Sequence, residues 1–301
     1  SLVHEDIHED IHEYILAVIE DINIAHNISL IVDDIEDDSE KRRGQPCAHL
    51  VYGVPMALNS AYLKAFQMLG SIEDRYPPER ADGVRRVLMK CVEEAHIGQG
   101  LDIYWARTKY VPTLEEYLFM VDHKTGYSFE GGGKLCMETL KSEESESEVV
   151  MTEEKIDMIL AMLRSMGRFF QIRDDYINLT CPKYWKQKGF CEDLDEKKVS
   201  YIFTVLKRID ADDTLYEQLC SIQQLTDTDK IAFYARLYDK NVLQQVHFDL
   251  DAYASDIRYM EKQITGHDEC TEELELFYSK LGYNPPMEPA LVRPALALLF
   301  V

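Results

Sequence analysis

The sequence predicts an all-α protein. Three observations carry that prediction. Apolar residues recur mostly at helical spacing. Alternating β-branched residues are scarce. Apolar residues make up 46% of 301, enough for a sizeable core. Neither a linker nor a whole-chain repeat divides the chain, so one domain over 1–301 is expected, with 1–13 and 283–301 peripheral or disordered.

The opening stretch V-H-E-D-I-H-E-D-I-H-E-Y-I repeats every four residues and stacks His4, His8 and His12 on one helix face. A metal site is one reading of that stack; a solvated acidic helix end is the preferred one. From Tyr14, the spacing of Ile15, Val18, Ile19, Ile22 and Ala25 predicts a helix running on through Ile28, Leu30, Ile31 and Asp33. Gly44-Gln45-Pro46 breaks it. Pro55 sits near the start of a helix through Leu69, where proline is tolerated. Tyr76-Pro77-Pro78 turns the chain into a long helix over 79–107. Pro112-Thr113 opens another, with Glu115 and Glu116 in the first turn, as the helix dipole favours. Lys124-Thr125-Gly126 is expected mid-helix. The run from Ser142 to Glu148 reads as an acidic, disordered surface loop. A helix from Thr152 to about Leu179 follows, then a charged loop from Cys181 to Lys198. Helices fill most of 199–281 before a proline-rich tail.

The formal net charge of -23 argues against nucleic acid and anionic membrane surfaces as partners. It would also repel a phosphorylated substrate, except where basic residues or cations are concentrated. Seven scattered cysteines without Cys-x-x-Cys read as reduced thiols in a cytoplasmic protein, not a disulfide framework or a zinc site. No apolar run is expected to reach the ~20 residues of a membrane helix, and no signal-peptide pattern opens the chain.

Two acidic motifs resemble each other. In Asp33-Asp34-Ile35-Glu36-Asp37, the first and last aspartates are one helical turn apart and point the same way. Like charges on one face destabilise a helix unless a cation sits between them. Magnesium, a hard ion, suits carboxylate, water and phosphate oxygens. Arg42 and Arg43 follow, with the forked donors that fit phosphate. In so acidic a chain the run alone has a bland reading as a solvated face, and the adjacent Arg-Arg-Gly is what raises the metal reading. The second motif runs from Gln171 through Arg173-Asp174-Asp175 to Asn178, after an apolar stretch that would be buried. Buried carboxylates are costly without partners. Two such helices facing each other would hold magnesium against a diphosphate and assist its departure. Lys124-Thr125, Lys188 and Lys197-Lys198 add cations; each alone reads more simply as a surface lysine.

These residues resemble the trans-isoprenyl diphosphate synthase family, of the geranylgeranyl diphosphate synthase type. The resembling segments are H-N-I-S-L-I-V-D-D-I-E-D-D-S-E-K-R-R-G-Q-P, G-Q-G-L-D-I-Y-W, K-T-G, F-F-Q-I-R-D-D-Y-I-N-L and K-G-F-C-E-D-L-D-E-K-K-V-S. The chain is similar, too, to the C-terminal prenyltransferase half of bifunctional fungal terpene synthases, which makes a fused terpene cyclase domain a possible partner. The resemblance implies a helical bundle around a deep apolar cavity, a homodimer or larger homo-oligomer, and a cluster of three magnesium ions. It implies metal binding by Asp33, Asp37 and Asp174, with Asp34, Asp175 and Asn178 completing the two motifs. Arg42, Lys124, Lys188 and Lys198 would grip the allylic diphosphate, with Thr125 and Gln171 nearby. His26 and Arg43 would bind isopentenyl diphosphate. Ile28 and Ser29, five and four residues before Asp33, would set product length, and the small Ser29 favours geranylgeranyl diphosphate or a longer product. The family's upstream Gly-Lys-x-x-Arg segment is absent from these residues, and Ser200-Tyr201-Ile202 replaces a more usual serine-phenylalanine-proline run. Two alternatives stand beside this reading: a class I terpene cyclase, which would need an Asn-x-x-x-Ser-x-x-x-Glu motif not found at Asp174 to Asn178, and a non-catalytic subunit of a synthase.

Overall fold

The computed structural model describes residues 2–139, 152–211, 214–267 and 269–297, with backbone only for 2–12 and 296. The acidic run at 142–148 and the side chains of His4, His8 and His12 lie outside the described residues.

Helix α1 (Leu2–Glu36) carries the first aspartate motif at its C-terminal end and takes in the four-residue repeat at its start. A short hairpin follows, β1 (Lys41–Arg42) paired antiparallel with β2 (Gln45–Pro46). Its two turn residues, Arg43 and Gly44, have φ of 53° and 77°, the left-handed pair that a primed two-residue turn requires. Helices α2 (Ala48–Tyr52), α3 (Val54–Gly70) and α4 (Ile72–Arg75) come next. α3 packs on α1 and turns Ala57, Ala61 and Met68 inward.

The Pro77-Pro78 turn leads into α5 (Pro78–Thr108), and Thr113 caps α6 (Leu114–Lys124). The cap is a full capping box: Glu116 N–H donates to the Thr113 hydroxyl and Thr113 N–H donates to the Glu116 carboxylate. Such a cap contributes about 1 kcal/mol. Lys124-Thr125-Gly126 is not mid-helix. α6 ends at Lys124, Thr125 is its C-cap, and α7 (Gly126–Thr139) starts afresh. Part of the reason is a close approach by α5. A Cβ on Gly98 would lie 2.2 Å from the backbone nitrogen of Lys124.

α8 (Glu153–Thr180) starts from its Thr152 cap and carries the second aspartate motif. The charged loop after it contains two single turns, α9 (Pro182–Trp185) and α10 (Glu192–Asp195). α11 (Tyr201–Ile209), α12 (Leu215–Ser221), α13 (Asp227–Asp239), α14 (Val242–Thr265), α15 (Glu272–Lys280) and α16 (Pro289–Ala297) complete the described elements.

The main core lies where α8 packs along α14, with Phe169, Ile172, Tyr176, Tyr201, Ile202, Leu243 and Leu250 buried. A smaller core of Val18, Ile72, Val84, Leu88 and Leu135 ties α1 to α4, α5 and α7. Three glycines in α7 let helices close on it. Successive residues step about 100° round a helix. Added Cβ atoms would come within 2.4 Å of Cys91 on α5 at Gly131, 2.9 Å of Ile22 on α1 at Gly132 and 2.4 Å of Leu163 on α8 at Gly133.

Two expectations are corrected here. The segment after Gly282 is not loose where it is described. Tyr176 and Tyr234 donate to the carbonyls of Asn284 and Met287, Arg173 donates to Leu281 and Gly282, and Val292 of α16 is fully buried. Buried phenols need acceptors, and the tail's backbone supplies them. One helical segment, Glu13–Glu36, is also long and apolar enough to cross a membrane by length and composition, with a mean hydropathy of 1.6. Its polar side is engaged within the bundle: Asp21 is buried against Arg75 and Tyr76, and Asp33 and Asp34 meet Arg42.

Gly98→Ala should lower stability by about 1–3 kcal/mol, because the added methyl meets backbone that has nowhere to retreat. Thermal unfolding against the parent protein checks this.

Candidate functional site

The first motif ends α1 and is held from three directions, by two cations and one amide. Arg42, on the hairpin, donates from Nε to Asp34 Oδ1 at 2.8 Å and pairs with Asp33 at 3.2 Å. Lys124, at the end of α6, lies 2.7 Å from Asp102 of α5 and 3.2 Å from Asp33. Gln99, one turn before Asp102, donates to Asp33 Oδ1 at 3.2 Å and to Glu36 at 2.9 Å. α5, α6 and α1 therefore meet at one buried ammonium.

The second motif is held differently. Asp174 accepts a hydrogen bond from Tyr184 at 2.7 Å, and Lys188 sits 5.9 Å from the centre of the Tyr184 ring. Asp175 is buried and fully occupied. It accepts from Tyr117 at 2.6 Å, from the Tyr201 amide at 2.7 Å and from Gln171 at 3.0 Å, with Lys198 at 3.4 Å. Gln171 in turn accepts from Thr125 at 2.7 Å. Asn178 departs from the expected ligand set. Its amide nitrogen donates to Asp193 at 2.8 Å and its carbonyl oxygen accepts from the Asp193 amide at 3.2 Å. A side chain whose two ends are both closed on a neighbour is a loop anchor, not a free ligand.

A clasp joins the two motifs. The Gly44 amide at the hairpin tip donates to the carbonyl of Gln187, beside Lys188, at 2.9 Å. Ser39, just past α1, donates to Glu196 at 2.9 Å, beside Lys197 and Lys198. From behind, buried Lys230 of α13 donates to the Phe190 carbonyl at 2.7 Å and pairs with Asp195.

The electrostatics reflect crowding. Burial alone would raise Asp33, but Lys124, Lys198, Arg42 and Lys188 outweigh it and hold the carboxyl far below its ordinary range. Burial works against charge on Lys124 as well, yet Asp102 and Asp33 keep it protonated beyond its ordinary value. Lys188 is raised in the same way by Asp174 and Asp193. Both motifs thus share one pool of lysines. At Asp37 the balance reverses: burial, then the Asp33 carboxylate, outweigh Lys124 and push it up to about 7. His26 is held below its ordinary value by burial and then by Arg43 and Arg42, so it is neutral at pH 7. Arg43 itself stands exposed at the hairpin tip.

The acidic groups Asp33, Asp34, Asp37, Asp102, Asp174, Asp175 and Asp193 outnumber the basic groups Arg42, Lys124, Lys188 and Lys198 that face them. Among the described residues, no group of three His, Cys, Asp or Glu side chains could hold a metal by itself. That donor set fits magnesium, which takes one or two carboxylates and completes its shell with water and phosphate oxygens. Sequence reasoning missed Gln99, Asp102, Tyr117, Tyr184 and Asp193. The i, i+3 pair in G-Q-G-L-D signalled the first two, and the acidic run after Lys188 contained the last. Nothing local marked the tyrosines.

Residues 2–238 match the polyprenyl synthetase family, and the chain belongs to it. It is 42% identical over 182 residues to geranylgeranyl pyrophosphate synthase 3 of Zymoseptoria tritici, covering 60% of this chain and 46% of that protein. It is 35% identical over 267 residues to preasperterpenoid A synthase PvPS of Talaromyces verruculosus, covering 88% of this chain and 28% of that one. The chain therefore spans less than half the length of these curated relatives. Among solved structures, geranylgeranyl pyrophosphate synthetase from Pyrococcus horikoshii aligns with a TM-score of 0.73 at 25% identity, over 88% of this chain and 78% of that one. The all-α isoprenoid synthase fold is thereby established.

A metal ion held at Asp37 would bind in a proton-linked way. Its raised value means that the metal-free fold binds a proton between the ordinary carboxylate range and about 7, so this group favours folding as pH falls through that window. Magnesium bound at this carboxylate would have to displace the proton. Calorimetry in buffers of different ionisation enthalpy should show proton release on binding near pH 6 and weaker binding there than at pH 8. Asp37→Asn should remove the release.

Proposed function

We propose that the chain is a magnesium-dependent trans-prenyltransferase that condenses isopentenyl diphosphate with allylic diphosphates to give geranylgeranyl diphosphate or a longer product. One observation carries the reading: two aspartate motifs on different helices face one shared set of lysines, with acidic groups in excess. An excess of buried carboxylate beside fixed cations is a poor site for a neutral ligand and a good one for a diphosphate that brings divalent cations.

Asp33, Asp37 and Asp174 would hold the magnesium, in a cluster of three ions, and the metal supplies charge neutralisation at the leaving diphosphate. Asp34 orients Arg42, and Asp175 orients Lys198, Gln171 and Tyr117. Arg42, Lys124, Lys188 and Lys198 bind the allylic diphosphate, with Thr125 and Gln171 beside them. Neutral His26 and exposed Arg43 receive isopentenyl diphosphate. The allylic carbon–oxygen bond ionises, and the double bond of isopentenyl diphosphate forms the new carbon–carbon bond. A proton then passes to the released diphosphate. Burial of the site keeps water from the cation.

A larger protein is favoured by the 28% share of the Talaromyces synthase that this chain spans. In that reading the native protein also carries a terpene cyclase domain, which consumes the product. Self-association is supported by large apolar side chains left in water on α1 and α3, which pack together. These are Leu16, Ile19, Leu63 and Phe66, the last 71% exposed. Large apolar side chains exposed on two packed helices suit an interface, and a second copy of the chain is the proposed occupant.

With magnesium and both substrates, the purified chain should release chain-elongated diphosphate, and Asp33→Ala or Lys124→Met should reduce turnover by at least about a hundredfold. No elongation by the parent protein would sink the reading, and hydrocarbon from geranylgeranyl diphosphate alone would favour a cyclase. Ser29→Phe should shorten the product, read by chromatography. Phe66→Asp should shift the protein toward monomer in light scattering.

A further inference from the structure

The face of α1 that bears Asp33 continues one turn down as Ser29, then as Ala25 and Ile22. Small Ser29 leaves a gap on that face, and α7 fills it. Tyr127 donates its hydroxyl to Ser29 Oγ at 3.0 Å, and Ser29 donates to the His26 carbonyl at 2.8 Å. The two bonds fix the phenol across the line from Asp33 down the helix. Ile28, one residue round α1, is half-buried and does not line the space below.

Below the ring the surroundings change. An apolar space is lined by Ile22, Ala25, Leu88, Cys91 and Leu135, with Tyr127 as part of its wall. The same ring borders a cavity of about 190 Å³ between α5 and α7, where Val87, Cys91 and Gly131 meet a charged rim that includes Arg86 and Lys134. Tyr127 therefore touches Ser29 and both of the spaces beyond it. A hydrocarbon tail arriving from Asp33 offers the phenol no hydrogen bond. Pushing the ring aside would break the hydroxyl's bond to Ser29, at a modest cost.

We propose that Tyr127 is a specificity-determining residue for chain length. Its ring, tethered to Ser29, is the floor on which the growing tail stops, and the ring's own volume together with the apolar space of about 20 Å³ beneath it is the room a longer tail would take. This rests on the prenyltransferase reading and adds to Ser29 the partner from α7 that closes the gap.

The test is product length, measured by mass spectrometry of the dephosphorylated alcohols after incubation with isopentenyl and dimethylallyl diphosphates and magnesium. Tyr127→Ala should shift the dominant product longer by at least one isoprene unit. Ala25→Phe fills the space beneath the floor. It should leave the length unchanged in the otherwise intact protein and cancel the lengthening in the Tyr127→Ala protein. An active Tyr127→Ala protein with unchanged product length would overturn the proposal, and so would a shortened product from Ala25→Phe alone. If Tyr127→Ala fails to fold, Ala25→Phe alone decides: unchanged length supports the floor, and a shorter product removes it. Failure of the parent protein to elongate any allylic diphosphate would bring down the prenyltransferase reading itself, an outcome distinct from either variant result.

Discussion

The ammonium of Lys124, held between Asp102 and Asp33, is the contact on which the site depends. It is largely withdrawn from water, so its charge and theirs are costly unless paired. Three helices must converge for it to exist. α1 brings Asp33, α5 brings Asp102, and α6 must end with its backbone against Gly98. The break after Lys124 falls beside this close approach.

The rest of the site extends the same balance outward. Acidic groups from α1, α5, α8, α10 and the turn at Asp37 outnumber Arg42, Lys124, Lys188 and Lys198. Asp33 is charged because lysines surround it, while Asp37, a turn away, holds its proton to about 7 because burial and the Asp33 carboxylate outweigh Lys124. The proposed binding of divalent cations and, through them, of diphosphate rests on this imbalance. The imbalance also explains the clasp. The hairpin and the Lys188 loop would drift apart if only charge held them, and the Gly44–Gln187 and Ser39–Glu196 hydrogen bonds fix their spacing. Lys230 braces the loop from behind through Phe190 and Asp195.

Legibility in the sequence followed the range of each interaction. The aspartate pairs, Arg42, Lys188 and Lys198 could be found because their spacing within one helix or loop is itself the signal. α5, the capped start of α6 and the Thr152 start of α8 were readable for the same reason, since caps and prolines act over a few residues. Asp102, Tyr117 and Tyr184 were not. Each acts on a residue far away in the chain, and a tyrosine that orients a carboxylate looks like any core tyrosine. Asn178 misled because its spacing from Asp174 imitates a ligand pair, while Asp193, fifteen residues on, claims both ends of its amide. The Lys124 seam and the docked tail eluded local reading too, because packing partners elsewhere decided them.

By itself, the sequence determined the all-α class, the two acidic motifs and the small residue at Ser29, since each is written in periodicity or local chemistry. Only the tertiary structure decided which carboxylates stay charged, which are locked by tyrosines, and what fills the gap that Ser29 leaves. Those outcomes depend on burial and on partners brought together by packing. Tyr127 lies 98 residues from Ser29, and only the approach of α7 to α1, allowed by the glycine at 132, puts its hydroxyl within reach.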